Sequence, residues 1–543
     1  MPPTPLSRTA SGETVSQPNQ HQLSSPGSRS SSGQVASQSN LYRLLVNSFE
    51  YDRVNSRSWL PVDKLNQLVS KTNVKSELRG RRTARLLRFL QVNRWESLAD
   101  TIVESARKLF VVFTLLGLSR EIRHLLDAGF SDNDFPFSKE KKHLISGADP
   151  KKRFQWPGDW NMSTFDAFFE KQWLVQAPIL ANVGRHRIFP ANCPLPLLRV
   201  TQFNGKYGHI FYKAKVHSAH QQGLEHLSPS LLVAVKVLLN HDSHLNHYRG
   251  NLHVIHTLRN TNHIVKDLET FQQGKGYFFI FPWAEGGNLY NFWSANDLET
   301  RCPKLAIWCL QQILGLAEAI EGLHGDLQKG HEFCHGDLSP QHILHFHAVN
   351  SYGMLKITGF EVSRLHSKGE PERLSSSPPH LSYDTYRSPE TDATEPKLHK
   401  VDMWSLGCLY FEFVVWAVCN FKAVSDFNFA RWPSNSGTRL DRFYYHTAVG
   451  GTEIHPVVQR AFEKLRSMSR CGPETAFGGV LEIIEGHLLQ VIIDNRVTAK
   501  QLCEKLTGVI NKSNLDHDFQ DLTGIGECLT VTDITQEPMN WSW

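Results

Sequence analysis

The chain predicts an α+β fold in two or three structural units, on three observations. At 543 residues it is too long for a single hydrophobic core. From Leu41 to about Asp149 apolar residues recur at spacings of three and four, which is the mark of amphipathic helices. Farther on, Leu231–Leu239 reads LLVAVKVLL, a β-branched apolar run with one Lys at its centre, which predicts a buried strand.

In chain order, Met1 to about Asn40 is rich in Ser, Gln, Pro and Gly and has no apolar run able to serve as a signal peptide. Residues 1–40 cannot bury enough surface to offset their ordering entropy, so a disordered tail is expected. The helical module over 41–149 has its densest apolar stretch at Leu109–Leu118. That is about ten residues against the roughly twenty needed to cross a bilayer, and no membrane span is expected. Lys75–Arg88, KSELRGRRTARLLR, concentrates basic charge on a helix; it reads as a solvated face or as a nuclear signal or acidic docking site. SDNDFPF at Ser131–Phe137 closes the module with turn formers, ahead of a basic connector.

Residues 150–195 contain WPGDWNMSTFDAFFEKQWLVQAP, from Trp156 to Pro178, which is too aromatic for a solvated linker. Packing against the strand-rich lobe that follows is expected, with a partner-binding patch as the alternative. His217–Ser230, HSAHQQGLEHLSPS, lacks strand periodicity and should form a surface excursion between strands. A formal charge of +5 is too dilute over this length to argue for nucleic acid. The nine Cys are scattered, odd in number and without a C-x-x-C pair, as expected of reduced core thiols in an intracellular protein.

Six segments in fixed order carry a family resemblance. They are LLVAVKVLL with Lys236, YFFIFPWAEGGNLYNFW (Tyr277–Trp293), CHGDLSPQHILHFHAVNSYGMLKITGFEVSR (Cys334–Arg364), TYRSPE ending at Glu390, VDMWSLGCLYFEF (Val401–Phe413) and IIDNRVTAKQL with Arg496. Over roughly residues 196–512 the chain resembles the protein kinases. More narrowly it resembles the kinase-like proteins of filamentous fungi, which write H-G-D-L at the catalytic loop and carry a similar helical segment upstream. The resemblance implies a two-lobed protein-kinase-like fold preceded by the helical module, with a five-stranded antiparallel small lobe, a helical large lobe and a C-terminal tail over 513–543. It implies that Lys236 pairs nucleotide phosphates, that Phe281 is a gatekeeper and that adenine bonds to main chain near Pro282 and Ala284. It also implies that Asp337 accepts the substrate proton, that Asp402 braces the catalytic loop and that Glu390 pairs with Arg496.

The departures from that family fall where charge on the nucleotide is handled. The catalytic-loop Lys position is Ser339, the metal-binding Asn position is His342, and the D-F-G triplet reads Gly359, Phe360, Glu361. In the glycine-rich loop the first Gly is Phe203 while Gly205 and Gly208 remain; a hairpin turn at Asn204–Gly205 explains the pair equally well. In NLHVIHTLRNTNHIV, matching Ile255 and Leu258 to the helix pattern places Asn251 where a carboxylate should meet Lys236. Lys236 is then expected to turn to solvent, to a distant acid such as Glu361, or to a phosphate.

Phosphoryl transfer depends on positioning and electrostatic stabilisation, and losing one preorganised group costs on the order of a hundred- to a thousand-fold in rate. Asn251, Ser339, His342 and Gly359 are altered together, and imidazole is a poor magnesium ligand. The reading is a pseudokinase with a regulatory or scaffolding role toward an unnamed protein partner. ATP binding is expected to be weak or absent, magnesium is not expected, and no structural metal is expected among the His at 331, 335, 342, 345 and 347. Two alternatives stay open: an active atypical Ser/Thr kinase using Lys236 and Asp337, and a recognition protein whose helices bind the partner on a passive kinase-fold platform.

Overall fold

The computed structural model describes residues 39–79, 88–157, 161–181, 186–204, 210–224, 231–239, 245–258, 262–297, 301–325, 331–349, 351–360, 363–367, 384–392, 398–432, 441–447, 450–515 and 528–535. The N-terminal module is built from α1 (Asn40–Val46), α2 (Val62–Leu68), α3 (Lys71–Arg79), α4 (Arg88–Ser105), α5 (Arg107–Leu115), α6 (Ile122–Asp127) and α7 (Met162–Lys171). Its centre is α5, RKLFVVFTL, buried at every position from Leu109 to Leu115 because it is apolar all round. The N-cap of α5 is Ala106, which offers no side chain; the carboxylate of Asp132 instead accepts the N–H groups of Lys108 and Leu109 at 2.9 and 3.0 Å.

One feature of this region was not read from the sequence, and one expectation is corrected. The basic connector is folded: Ser138–Glu140, His143–Ile145 and Arg153–Gln155 form a three-stranded antiparallel sheet. The aromatic stretch packs into the module and not onto the small lobe. On α7 Phe165 and Phe168 lie one turn apart and share a face, and they meet Trp156, Phe113 and Phe137 in edge contacts inside the module core.

The small lobe is a six-stranded sheet of β1 (Arg187–Phe189), β2 (Leu197–Asn204), β3 (Ile210–Val216), β4 (Leu232–Leu239), β5 (Glu269–Gln273) and β6 (Gly276–Pro282), in the order β1-β5-β6-β4-β3-β2. Five strands are antiparallel neighbours. The sixth, β1, comes from the connector and pairs parallel to β5, where Arg187 Nε meets Glu269 Oε1 at 2.5 Å. One helix, α8 (Leu245–Thr257), packs on the sheet between β4 and β5.

The large lobe contains α9 (Leu289–Ala295), α10 (Pro303–His324), the hairpin β7 (Ile343–Phe346) and β8 (Met354–Ile357), then α11 (Leu398–Val418), α12 (Phe421–Ala430), α13 (Pro456–Ser467), α14 (Ala476–Ile483), α15 (Ala499–Leu515) and α16 (Val531–Ile534). Within α11, His399–Val418 is long and apolar enough to cross a membrane, but it is wholly buried as the axis of the lobe. Part of the expected tail belongs to the lobe: Leu529 and Ile534 enter its core, and Arg460 Nε donates to Ile534 O at 2.6 Å.

The helical module docks on the small lobe through polar contacts that a β-hairpin supplies. Glu50–Asp52 pairs with Arg57–Trp59, and Asp52 Oδ2 accepts the N–H of Leu195 at 2.9 Å. Asn55 donates to Gln273 at 2.8 Å, and His220 Nε2 accepts the N–H of Val62 at 2.8 Å. The excursion after β3 is therefore not a solvent loop at His220, which is 3% exposed; residues 225–230 lie outside the described residues.

Candidate active site in the cleft between the lobes

The loop from Cys334 to Ile343 is fixed from below by Asp402 on α11. Its Oδ2 accepts the N–H of His335 and its Oδ1 that of Gly336, both at 2.9 Å, while His324 Nε2 lies at 2.8 Å. Burial pushes the Asp402 carboxyl up, but the His324 hydrogen bond and the N–H donors outweigh it and hold the pKa below the ordinary carboxylate value. His335 Nδ1 accepts the N–H of Asp337 at 3.2 Å, so Nε2 carries the proton it donates to Thr358 O at 2.9 Å. The ring thereby ties the catalytic loop to the end of β8. Lower in the lobe, Arg496 makes a bidentate pair with Glu390 at 2.6 and 2.8 Å.

Asp337 is 8% exposed and Ser339 is buried. His342 turns back into the loop: Nδ1 donates to Asp337 O at 2.7 Å and lies 3.4 Å from Asp337 Oδ2 and 3.5 Å from Ser339 Oγ. Its ring stands against Gly359, which has φ +91°, in the left-handed region. A Cβ at Gly359 would lie 2.6 Å from Cγ and 2.7 Å from Cδ2 of His342. The His342 ring thus fills the space that a side chain at 359 would need.

Of the three destinations expected for Lys236, solvent is excluded: it is 1% exposed, with Nζ 4.3 Å above the Tyr248 ring and 5.6 Å above that of Phe211. Glu361 lies outside the described residues, as do Gly205 and Gly208. On α8, Tyr248 packs against Lys236, while Ile255 and Leu258, the apolar pair matched in sequence, are both buried. Asn251, one turn on from Tyr248, donates from Nδ2 to Phe360 O at 2.8 Å and Ser363 O at 2.9 Å, pinning α8 to the segment after β8.

Cross-strand partners share a face of a sheet, so the pairs Lys236 with Phe211, Ala234 with Lys213, Lys213 with Thr201 and Phe211 with Phe203 put all these side chains on the Lys236 side. Lys213 Nζ lies 4.4 Å over the ring of Trp283, the residue between Pro282 and Ala284. Phe203 stacks on the same ring, with centroids 6.3 Å apart and 24° between planes. A Phe–Trp–Lys stack therefore joins the sheet to the linker where adenine was expected to bond. The backbone N–H of Trp283 is engaged by Leu232 O at 3.2 Å.

One charged cluster was not read from the sequence. Glu412 on α11 is fully buried, accepts from Tyr386 OH at 2.8 Å and lies 3.6 Å from Arg431, whose guanidinium sits between Phe427 and Phe443. Burial pushes its pKa up to about 7, with Arg431 opposing. The signal was present as a lone Glu in the apolar run VDMWSLGCLYFEF, where an acid must find a partner. Among the described residues no group of three or more His, Cys, Asp or Glu is placed to hold a metal ion.

The protein kinase domain family matches residues 222–426. The chain is similar to homeodomain-interacting protein kinase 1 of Mus musculus, 27% identical over 229 residues that make up 39% of this chain and 18% of that protein. It is 25% identical over 186 residues to homeodomain-interacting protein kinase 4 of Homo sapiens, covering 33% of this chain and 28% of that one. With serine/threonine-protein kinase 36 of Pongo abelii it shares 28% identity over 238 residues, 42% of this chain and 16% of the relative. The chain thus spans less than a third of the length of each of these relatives.

Proposed function

We propose that this chain, which carries a protein kinase domain with Ser/Thr kinase relatives, uses it as a pseudokinase that serves regulation or scaffolding and not phosphoryl transfer. The observation that carries the reading is the His342 ring standing in the space a carboxylate at position 359 would need. Without that carboxylate and the Asn, no oxygen ligands are supplied at the two positions from which the family holds magnesium. The Phe203–Trp283–Lys213 stack supports weak or absent ATP binding, since an adenine ring must displace it to reach the main chain at Pro282 and Ala284. The frame that remains, Asp402 under the loop and Glu390 with Arg496, holds a fold and positions no phosphate. In this it is like the kinase-like proteins of filamentous fungi, and its partner is a protein engaged by the lobes or the docked helical module.

The test is turnover of radiolabelled ATP by the full chain over magnesium and manganese, beside an Asp337→Ala control. We expect no transfer above the control and no magnesium-dependent rise in melting temperature. A second reading, an active atypical Ser/Thr kinase, is favoured by one observation: Asp337 is retained and its loop is braced as a working loop would be. Robust transfer abolished by Asp337→Ala would establish that reading instead.

A further inference from the structure

Cys419 and Cys528 come together from distant parts of the large lobe. Cys419 follows the last turn of α11, and Cys528 opens the segment that leads into α16. Their surroundings are reciprocal: the N–H of Leu529 donates to Cys419 Sγ at 3.3 Å, and Asn420 Nδ2 reaches Cys528 Sγ at 3.6 Å. Each sulfur is thus held by the residue that follows the other cysteine. Both are half-buried, whereas Cys193, Cys309, Cys334, Cys408, Cys471 and Cys503 are buried. The remaining half-buried thiol, Cys302, faces Tyr352 OH at 3.8 Å.

The electrostatics of the pair divide its labour. Interaction with Cys419 pulls the Cys528 thiol down to about 7; burial opposes this, and the Leu529 N–H and the Arg470 guanidinium assist. The same interaction, with burial, pushes Cys419 up. A proton between them rests on Cys419, and Cys528 is the nucleophilic thiolate.

We propose that Cys419 and Cys528 are a reversible oxidation site that closes to a disulfide with hydrogen peroxide and fastens the C-terminal segment to the junction of α11 and α12. The Cys528 thiolate attacks one peroxide oxygen, the O–O bond breaks, and Cys528 sulfenic acid and hydroxide form; the hydroxide takes up the proton that the Cys528 thiol released to solvent and becomes one water. Cys419 sulfur then attacks the sulfenic sulfur; the S–O bond breaks, and the departing hydroxide takes the Cys419 proton as a second water. Two thiols and one peroxide give one disulfide and two waters, and an added dithiol reverses it. The cross-link encloses α12 to α15 in one loop, so the oxidised lobe resists unfolding. This site is independent of whether the cleft transfers phosphate.

The experiment treats the full chain with a small molar excess of hydrogen peroxide and maps its thiols by mass spectrometry without reduction. We expect a Cys419–Cys528 cross-linked peptide, a melting temperature higher by about 5 °C, and reversal of both by dithiothreitol. Cys528→Ser should abolish the cross-link, and Cys419→Ser should leave a sulfenic acid at Cys528 that dimedone labels. Wild-type mapping stands alone if either variant fails to fold. A dominant disulfide between other cysteines, Cys528 sulfinic acid beside a Cys419 thiol, or an unreacted pair overturns the proposal.

Discussion

His342 and Gly359 are sterically complementary: the imidazole that bonds Asp337 O occupies the volume that any side chain at 359 would enter, 2.6 Å from its Cβ. Two departures that look independent in sequence are one structural event. Adding a side chain at 359 while His342 stays is therefore not a neutral step.

Gly359→Asp alone should destabilise the chain by roughly 1–3 kcal/mol, because a new Cβ must displace a ring held by its hydrogen bond to Asp337 O. In a His342→Asn background the same change should cost less, with a coupling of about 1–2 kcal/mol in a double-mutant cycle. Urea unfolding of the four proteins measures it, and additive costs would show that the ring yields freely. Only the double variant should gain magnesium binding by titration calorimetry.

Asn251→Ala should cost about 2 kcal/mol, since the carbonyls of Phe360 and Ser363 each lose their buried amide donor. The loss should appear as faster amide exchange in α8. Tyr248→Glu would set a carboxylate beside Lys236. Its cost should rise when Lys236 is also changed to Met, because the acid then lies buried opposite an apolar chain. Equal cost in both backgrounds would mean that the two positions do not face each other.

If the stack on Trp283 keeps adenine out, then Phe203→Gly with Lys213→Val should admit it. At 1 mM ATP the double variant should melt about 2–4 °C higher with or without magnesium, as expected for a dissociation constant near 0.1 mM, while the wild type should not move. A wild-type shift of that size would show that the stack opens at little cost.

The kinase frame was legible because its landmarks are local: a Lys in a β-branched strand, H-G-D-L, and an Asp at the head of an apolar helix each declare themselves within a few residues. What was not legible depends on distant partners. The strand Arg187–Phe189 is too short for a pattern and exists because β5 offers an edge and Glu269 a charge. The aromatic residues around Phe165 had two cores within reach, and sequence does not say which is nearer. The Tyr248 contact was hidden for a related reason, since only the sheet opposite shows that this ring meets Lys236.

The last prediction concerns acid and the docking of the helical module. His220 lies between them, with Nε2 accepting from Val62 N–H, which requires Nδ1 to donate to Pro178 O at 3.1 Å. Trp59 packs edge-on at 4.8 Å. Burial lowers the His220 pKa from the ordinary value of 6.5; the Pro178 bond and Asp63 oppose this, and His217 and Lys108 add to it. A second proton would point Nε2–H at the Val62 N–H and break the dock. Because the folded pKa is the lower one, the unfolded chain binds more protons just below pH 6.5, so stability rises with pH there. The His220 contribution is complete above pH 6.5 and is lost progressively as pH falls below it. His220→Gln keeps an acceptor for Val62 but cannot titrate. It should therefore lose less stability than the wild type between pH 7.5 and 5.5, with His263, His345 and His455 titrating alike in both. Urea midpoints at the two pH values give the comparison, and equal losses would remove His220 as the acid-sensitive contact.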